Sequence, residues 1–237
     1  RMTELLLVYD LRKSNPGDEV RSIARTRTLT VLRDLDGKRK AQVVRFLYEL
    51  DLIKGTSPVI DLSYADLQEA DLPYANLENI SLPKVNLRKA NLYSAKLQNA
   101  DFNLSDLDEA NLSWADLKSA NLHCGLKKTN LGVASLEGAS LLRADMNGAC
   151  LINARLNGAD LRYANLKYKH EPTGDMDQNN FDLAKLFVAD LSDCNMTGAK
   201  VDNEQIKSVK LLKGAIMPSG KRFEDCKSDE EWQLPTK

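Results

Sequence analysis

Histidine is almost missing from this chain of 237 residues, and cysteine and aromatic side chains are scarce. The two histidines, His123 and His170, stand apart, and the four cysteines are scattered singly, so no Cys-pair metal spacing exists and no metal or other cofactor is expected. There is no glycine-rich phosphate loop and no nucleophile elbow, which removes the commonest signatures of nucleotide binding and acyl transfer. No run of 18 apolar residues occurs, so no spanning helix is expected. The apolar stretch Leu5–Val8 is too short for a signal-peptide core. An excess of one charge is absent too: 33 basic against 34 acidic residues leave a net charge of −1. Nothing in that balance steers the chain toward nucleic acid or an acidic membrane.

The cysteines read as four free thiols in a reducing compartment, with Cys124 and Cys194 in positions that want a small apolar residue. A cytoplasmic location is expected. Because the chain opens on Arg1, attachment to a membrane is expected only through a segment upstream of it.

What the sequence has in abundance is one five-residue phrase. From Ile60-Asp61-Leu62 it runs through Ala65-Asp66-Leu67, Ala70-Asp71-Leu72 and Ala75-Asn76-Leu77 to Ala120-Asn121-Leu122. Period five suits neither a helix, which repeats its apolar positions at three and four, nor a flat strand, which repeats at two. It is an internal repeat of fixed period, which has to be recognised before the fold is assigned. The frame loses one residue at His123-Cys124-Gly125 and resumes at Leu126, with Gly125 expected to absorb the distorted corner. It breaks again at Tyr168–Gln178, a polar stretch with Pro172 and Gly174 that reads as an extruded loop, and then continues through Phe181, Leu186, Leu191, Met196 and Val201.

This pattern resembles the pentapeptide-repeat family, whose motif is roughly Ala-Asp/Asn-Leu-x-x. The resemblance implies a mainly β fold, a right-handed quadrilateral parallel β-helix with four pentads per coil. The central Leu and the small residue two places earlier then point inward. On that reading Leu67, Leu87, Leu107, Leu112, Leu131 and Leu151 are core residues, and stability is a sum over neighbouring coils.

The repeat region is expected over residues 57–203, with the loop at 168–178. Residues 1–56 read as an α-helical N-terminal cap. Its first helix spans about Asp18 to Leu35 with Ile23, Leu29, Leu32 and Leu35 inward, and Gly37 ends it. Its second runs from about Lys38 to Leu52 with Val43, Val44, Phe46, Leu47 and Leu50 inward, and Gly55 closes it. The basic cluster Arg25, Arg27, Arg33, Lys38, Arg39 and Lys40 reads as a solvated face. Residues 204–237 are expected to form a short helix carrying Ile206, Val209 and Leu212, followed by a polar tail.

A filled solenoid with convex sides offers no concave site, so the chain is expected not to be an enzyme. The expected role is a scaffold or protein-interaction module with an unidentified protein partner, without nucleic acid or small-molecule substrate. Every fourth pentad shares a face, which stacks Tyr74, Tyr93 and Trp114 in one column as a partner-contact surface. The loop residues His170, Glu171, Pro172 and Asp175 form a second candidate. The resemblance also raises a DNA mimic that binds a type II topoisomerase. The ends carry +4 and +1, which leaves −6 on the repeat region. A duplex of about 34 Å carries on the order of 20 charges, so the acidity falls short about threefold.

Overall fold

The computed structural model describes residues 11–166, 189–201, 206–207 and 209–226. Its repeat region is stitched by parallel bridges between residues 20 apart: Asp66 with Asn86, Asn86 with Asp106, Asp71 with Asn91, Asn91 with Asn111. A coil is therefore 20 residues, four pentads, and each coil rests in register on the next. Among the described residues these contacts are single-residue bridges rather than extended strands, because each pentad spends its remaining residues on a turn.

Each part of the pentad has a physical task. The central Leu fills the interior, and the six core leucines named above are all fully buried. The small residue two places earlier is buried as well and leaves room for that Leu. Where the slot holds a hydroxyl it is satisfied: Ser105 Oγ donates to the Leu82 carbonyl, and Thr129 Oγ1 donates to that of Leu107 at 2.8 Å. The Asp or Asn before Leu holds the turn, since its Oδ1 accepts the N–H two residues on, as Asp101 does from Asn103 at 3.0 Å. Asn also donates across coils, with Asn91 Nδ2 lying 2.9 Å from Asp71 Oδ1 and Asn121 Nδ2 lying 2.9 Å from Asp101 Oδ1.

The residue before the small one sits in the left-handed region, at φ +69 in Tyr64, +56 in Tyr74 and +63 in Trp114. The small residue's N–H then returns to the carbonyl of the preceding central residue, as Ala65 N does to Leu62 O at 2.8 Å.

The lost residue shortens one turn. Cys124 N donates to Leu122 O at 2.8 Å, a three-residue turn, and bridges become 19 apart, as between Asn111 and Asn130. Gly125 does not make that corner. It pairs with Asp106, and a Cβ there would stand 3.1 Å from Asp108 Oδ1, so its bareness makes room for that carboxylate. Across residues 167–188 the bridge spacing rises to 35, as between Arg155 and Asp190. The expected loop with His170, Glu171, Pro172 and Asp175, and the core positions Phe181 and Leu186, lie outside the described residues.

At the N-terminal end two helices cover the first coil, α1 at Glu19–Arg33 and α2 at Gly37–Glu49. The buried side of α1 is Ala24, Thr28 and Leu32, while Ile23 is 37% exposed, so its inward face is rotated from the expected one. In α2 the buried residues are Lys40, Ala41, Val44 and Leu47, and Phe46 faces solvent. Gly37 opens α2 instead of ending α1: Asp36 caps the helix by accepting the Arg39 N–H at 2.9 Å. Gly55 lies beyond the end of α2, where Leu50 is the C-cap. The basic cluster is partly engaged with the coil. Lys40 is buried, with Nζ 3.2 Å from Asp66 Oδ2 and 3.2 Å from the Gln68 carbonyl, and Arg25 Nη2 donates to Ser63 O at 2.7 Å.

Both exposed edges are closed by a reversed chain. An antiparallel bridge joins Lys54 to Ile80 at one end, and another joins Ile216 to Arg222 at the other. The expected C-terminal helix is corrected in its second half, because Leu211 pairs with Asp190 and Ile216 with Asn195. The coil thus extends past Asn203, with Ala215 and Met217 in the buried slots.

Candidate functional site

The bridges from Asp71 through Asn91, Asn111 and Asn130 to Cys150 define one face over five coils. The two outward positions after each central Leu on this face are Pro73-Tyr74, Tyr93-Ser94, Ser113-Trp114, Gly132-Val133 and Ile152-Asn153. Tyr74 is 71% exposed and Trp114 58%, whereas Tyr93 is half-buried. Tyr74 and Tyr93 meet edge to face, ring centroids 5.3 Å apart and planes at 86°. Their backbones pair as well, Tyr74 N with Tyr93 O at 2.8 Å. Trp114 shares the left-handed corner with Tyr74 two coils away, and among the described residues it makes no ring contact with the tyrosines.

Val133 and Ile152 extend the apolar column. Sequence reasoning missed them because the one-residue deletion shifts their spacing; a step of 19 from Trp114 would have reached Val133. It also missed a second column. Tyr64, Leu104 and Tyr163 are exposed on another corner, but there cations cover the tyrosine rings: Lys84 Nζ lies 5.6 Å from the Tyr64 centroid and the Arg143 guanidinium 6.0 Å from that of Tyr163. Among the described residues no cation covers Tyr74, Tyr93 or Trp114 in this way.

Elsewhere charged side chains pair across neighbouring coils. Arg88 reaches Asp106, Asp108 and Glu109 at 3.5, 3.3 and 3.1 Å. Burial pushes the Asp108 carboxyl above its ordinary range, against the opposing pull of the Lys127 backbone N–H. Burial also pushes up both inward thiols, Cys194 to about 12. No disulfide joins any two of Cys124, Cys150, Cys194 and Cys226. A cavity of about 340 Å³ beside α1 is lined by Arg21 and Arg25. Arg21 donates to Ser14, and Arg25 donates to Ser63 and pairs with Asp61. Among the described residues no three metal-ligating side chains converge, and no helix is long and apolar enough to cross a membrane.

Comparison with known proteins agrees with the five-residue repeat. The family model for pentapeptide repeats matches in eight copies, over residues 60–98, 86–123 and 124–162. No curated protein matches the chain. Among solved structures, a pentapeptide repeat protein from the Arabidopsis thaliana thylakoid lumen is 31% identical, over 50% of this chain and 70% of its own, with a TM-score of 0.27. HetL, a pentapeptide repeat protein involved in heterocyst differentiation regulation from the cyanobacterium Nostoc sp. strain PCC 7120, is 30% identical over 69% of this chain and 89% of its own, with a TM-score of 0.19. Rfr23 from the cyanobacterium Cyanothece 51142 is 24% identical over 60% of this chain and 90% of its own, with a TM-score of 0.21. The kinship lies in the repeated phrase itself, matched in sequence across most of HetL, and by it this chain belongs to the pentapeptide repeat family.

Proposed function

We propose that this protein is a non-catalytic scaffold whose coil, right-handed and four-sided, presents the column of Tyr74, Tyr93 and Trp114 to a protein partner. The observation that carries the reading is the placement of large rings at a strained and open position. A left-handed backbone costs a non-glycine residue roughly 1–2 kcal/mol; Gly138, Gly148, Gly158 and Gly198 avoid that cost in the equivalent slot, whereas Lys84, Asn99 and Glu109 bear it there as the rings do. Tyr74 and Trp114 recover little of that cost by burial, being 71% and 58% exposed. Rings held in solvent at such a position suit recognition better than packing.

The two helices at one end and the reversed chain at Arg222 at the other serve on this reading as caps. Four cysteines without a disulfide suit a reducing compartment. The carboxylates do not favour a duplex mimic, because among the described residues no bridge joins two of them: Asp66 pairs with Asn86, Asp116 with Lys96 and Asp106 with Gly125. The test is the double variant Tyr74→Ala/Trp114→Ala, followed by thermal melting and by quantitative recovery of cross-linked partners. A melting temperature within a few degrees of the parent with partners lost supports the reading. A lowered melting temperature with partners retained assigns the rings to stability and refutes it.

A further inference from the structure

We propose that the column from Tyr74 to Ile152 takes an extended, proline-rich peptide in the polyproline II conformation. The inference rests on the reading of this face as the interaction surface and names the occupant.

Area excludes the alternatives of larger footprint. With Tyr74 71% and Trp114 58% exposed, the column offers on the order of 300 Å² of apolar surface. A stable interface between two folded partners needs about 800 Å² from each. A second copy docked through this column alone falls well short, whereas one extended peptide can use a strip one pentad wide.

Register selects the conformation. Tyr74 and Trp114 occupy the same corner two coils apart, and a coil step of about 4.8 Å separates them by about 9.6 Å along the axis. Three residues of polyproline II advance about 9.3 Å, so two side chains three residues apart meet the two rings with a mismatch of about 0.3 Å. A β-strand repeats its side at about 6.7 Å, and seven residues of α-helix advance about 10.5 Å; both miss the two-coil spacing by more. The corner between the two rings is Ser94, a small side chain, and the neighbouring Tyr93 packs its ring against Tyr74.

Chemistry agrees. Polyproline II has no internal hydrogen bonds and presents bare carbonyls, and the strip supplies donors in the two phenolic hydroxyls and the Trp114 indole N–H. The flanking corner reads Glu69, Lys89, Glu109 and Lys128, alternating in sign, which gives no preference for a charged ligand. Aromatic-lined grooves that read proline at every third residue are an established recognition mode.

The experiment uses the full chain with Trp232→Phe, so that Trp114 is the sole indole, titrated with two synthetic peptides of equal composition, one with proline at every third residue and one at every fourth. Trp114 emission and the anisotropy of labelled peptide are read. Saturable binding is expected for the three-residue spacing, at least tenfold weaker binding for the other, and at least a tenfold loss in both Trp114→Ala and Ser94→Tyr. The second variant puts a ring at Ser94, in the left-handed position that already holds tyrosine at Tyr74 in this column and at Tyr64 and Tyr163 in another. Equal affinity for both peptides, or binding unchanged in Ser94→Tyr with its melting temperature intact, overturns the proposal. Failure of the peptide to bind while Tyr74→Ala/Trp114→Ala still loses a cellular partner overturns the proposal and leaves the interaction face standing. Self-association abolished by Trp114→Ala in sedimentation assigns the column to a second copy and overturns it as well.

Discussion

Leu112→Ala should be among the most costly single truncations in the chain. Leu112 is fully buried between Leu92 and Leu131 of the adjoining coils. Its own backbone is pinned from both sides: its N–H donates to Asn130 O at 2.7 Å, and Asn111 N donates to Ala90 O at 2.9 Å. A cavity left at this position cannot be closed by local collapse without breaking those bridges. Buried Leu→Ala changes cost about 2.7–5 kcal/mol, least where the site relaxes, so about 4 kcal/mol is expected here. In urea, with a slope near 2 kcal/mol/M, that lowers the midpoint by about 2 M. Leu112→Met is the control, because Met146 and Met196 fill the same slot in other coils, both buried; it should cost less than about 1.5 kcal/mol. Urea unfolding followed by circular dichroism measures both. A shift below about 0.5 M for Leu112→Ala would refute the claim that the leucine column carries the stability.

Gly37→Ala removes a residue that costs a helix about 1 kcal/mol relative to Ala, yet it should destabilise by about 2 kcal/mol or more, because the added Cβ would lie 2.0 Å from the Glu69 carbonyl oxygen; the sign of the change in urea midpoint decides. Asn91→Asp removes the donor to Asp71 and sets two carboxylates a coil step apart. That repulsion raises the folded-state carboxyl pKa, so the stability lost relative to the parent should grow as pH rises through about 4 and shrink again below it, read as melting temperature from pH 3 to 6. At pH 8 a thiol reagent should label two cysteines, Cys150 and Cys226, in the folded chain and four in guanidinium, since burial keeps Cys124 and Cys194 protonated.

The repeat was legible because its signal is independent of context. A Leu at every fifth place with a small residue two before it fixes what points inward, and it even located the short step at residues 123–125. The helices were legible as elements but not in their packing. Which side of α1 is inward depends on the coil beneath it, and that coil selected Ala24, Thr28 and Leu32 over Ile23. Gly37 read as a helix stop because glycine usually serves there, whereas the close approach of Glu69 is a tertiary fact. Ile206, Val209 and Leu212 are spaced as a helix face, and that spacing hid the Ala215-Ile216-Met217 phrase that continues the coil. Of the candidate site, the column was legible from the four-pentad coil. The edge-to-face geometry of Tyr74 and Tyr93, and the extension to Val133 and Ile152, were not.

Disulfide trapping tests the coil register most directly. In a chain whose four cysteines are replaced by alanine, cysteine pairs are introduced at Asn91/Asn111, Asn111/Asn130 and Asp101/Asn111. Bridged positions in adjoining coils lie about 4.8 Å apart, within the Cα range a disulfide needs. The first pair, 20 apart, and the second, 19 apart across the short turn, should oxidise readily under mild conditions. The third, 10 apart on opposite faces, should remain reduced. Oxidation of the third pair, or failure of the first two in folded protein, would contradict the 20-residue coil.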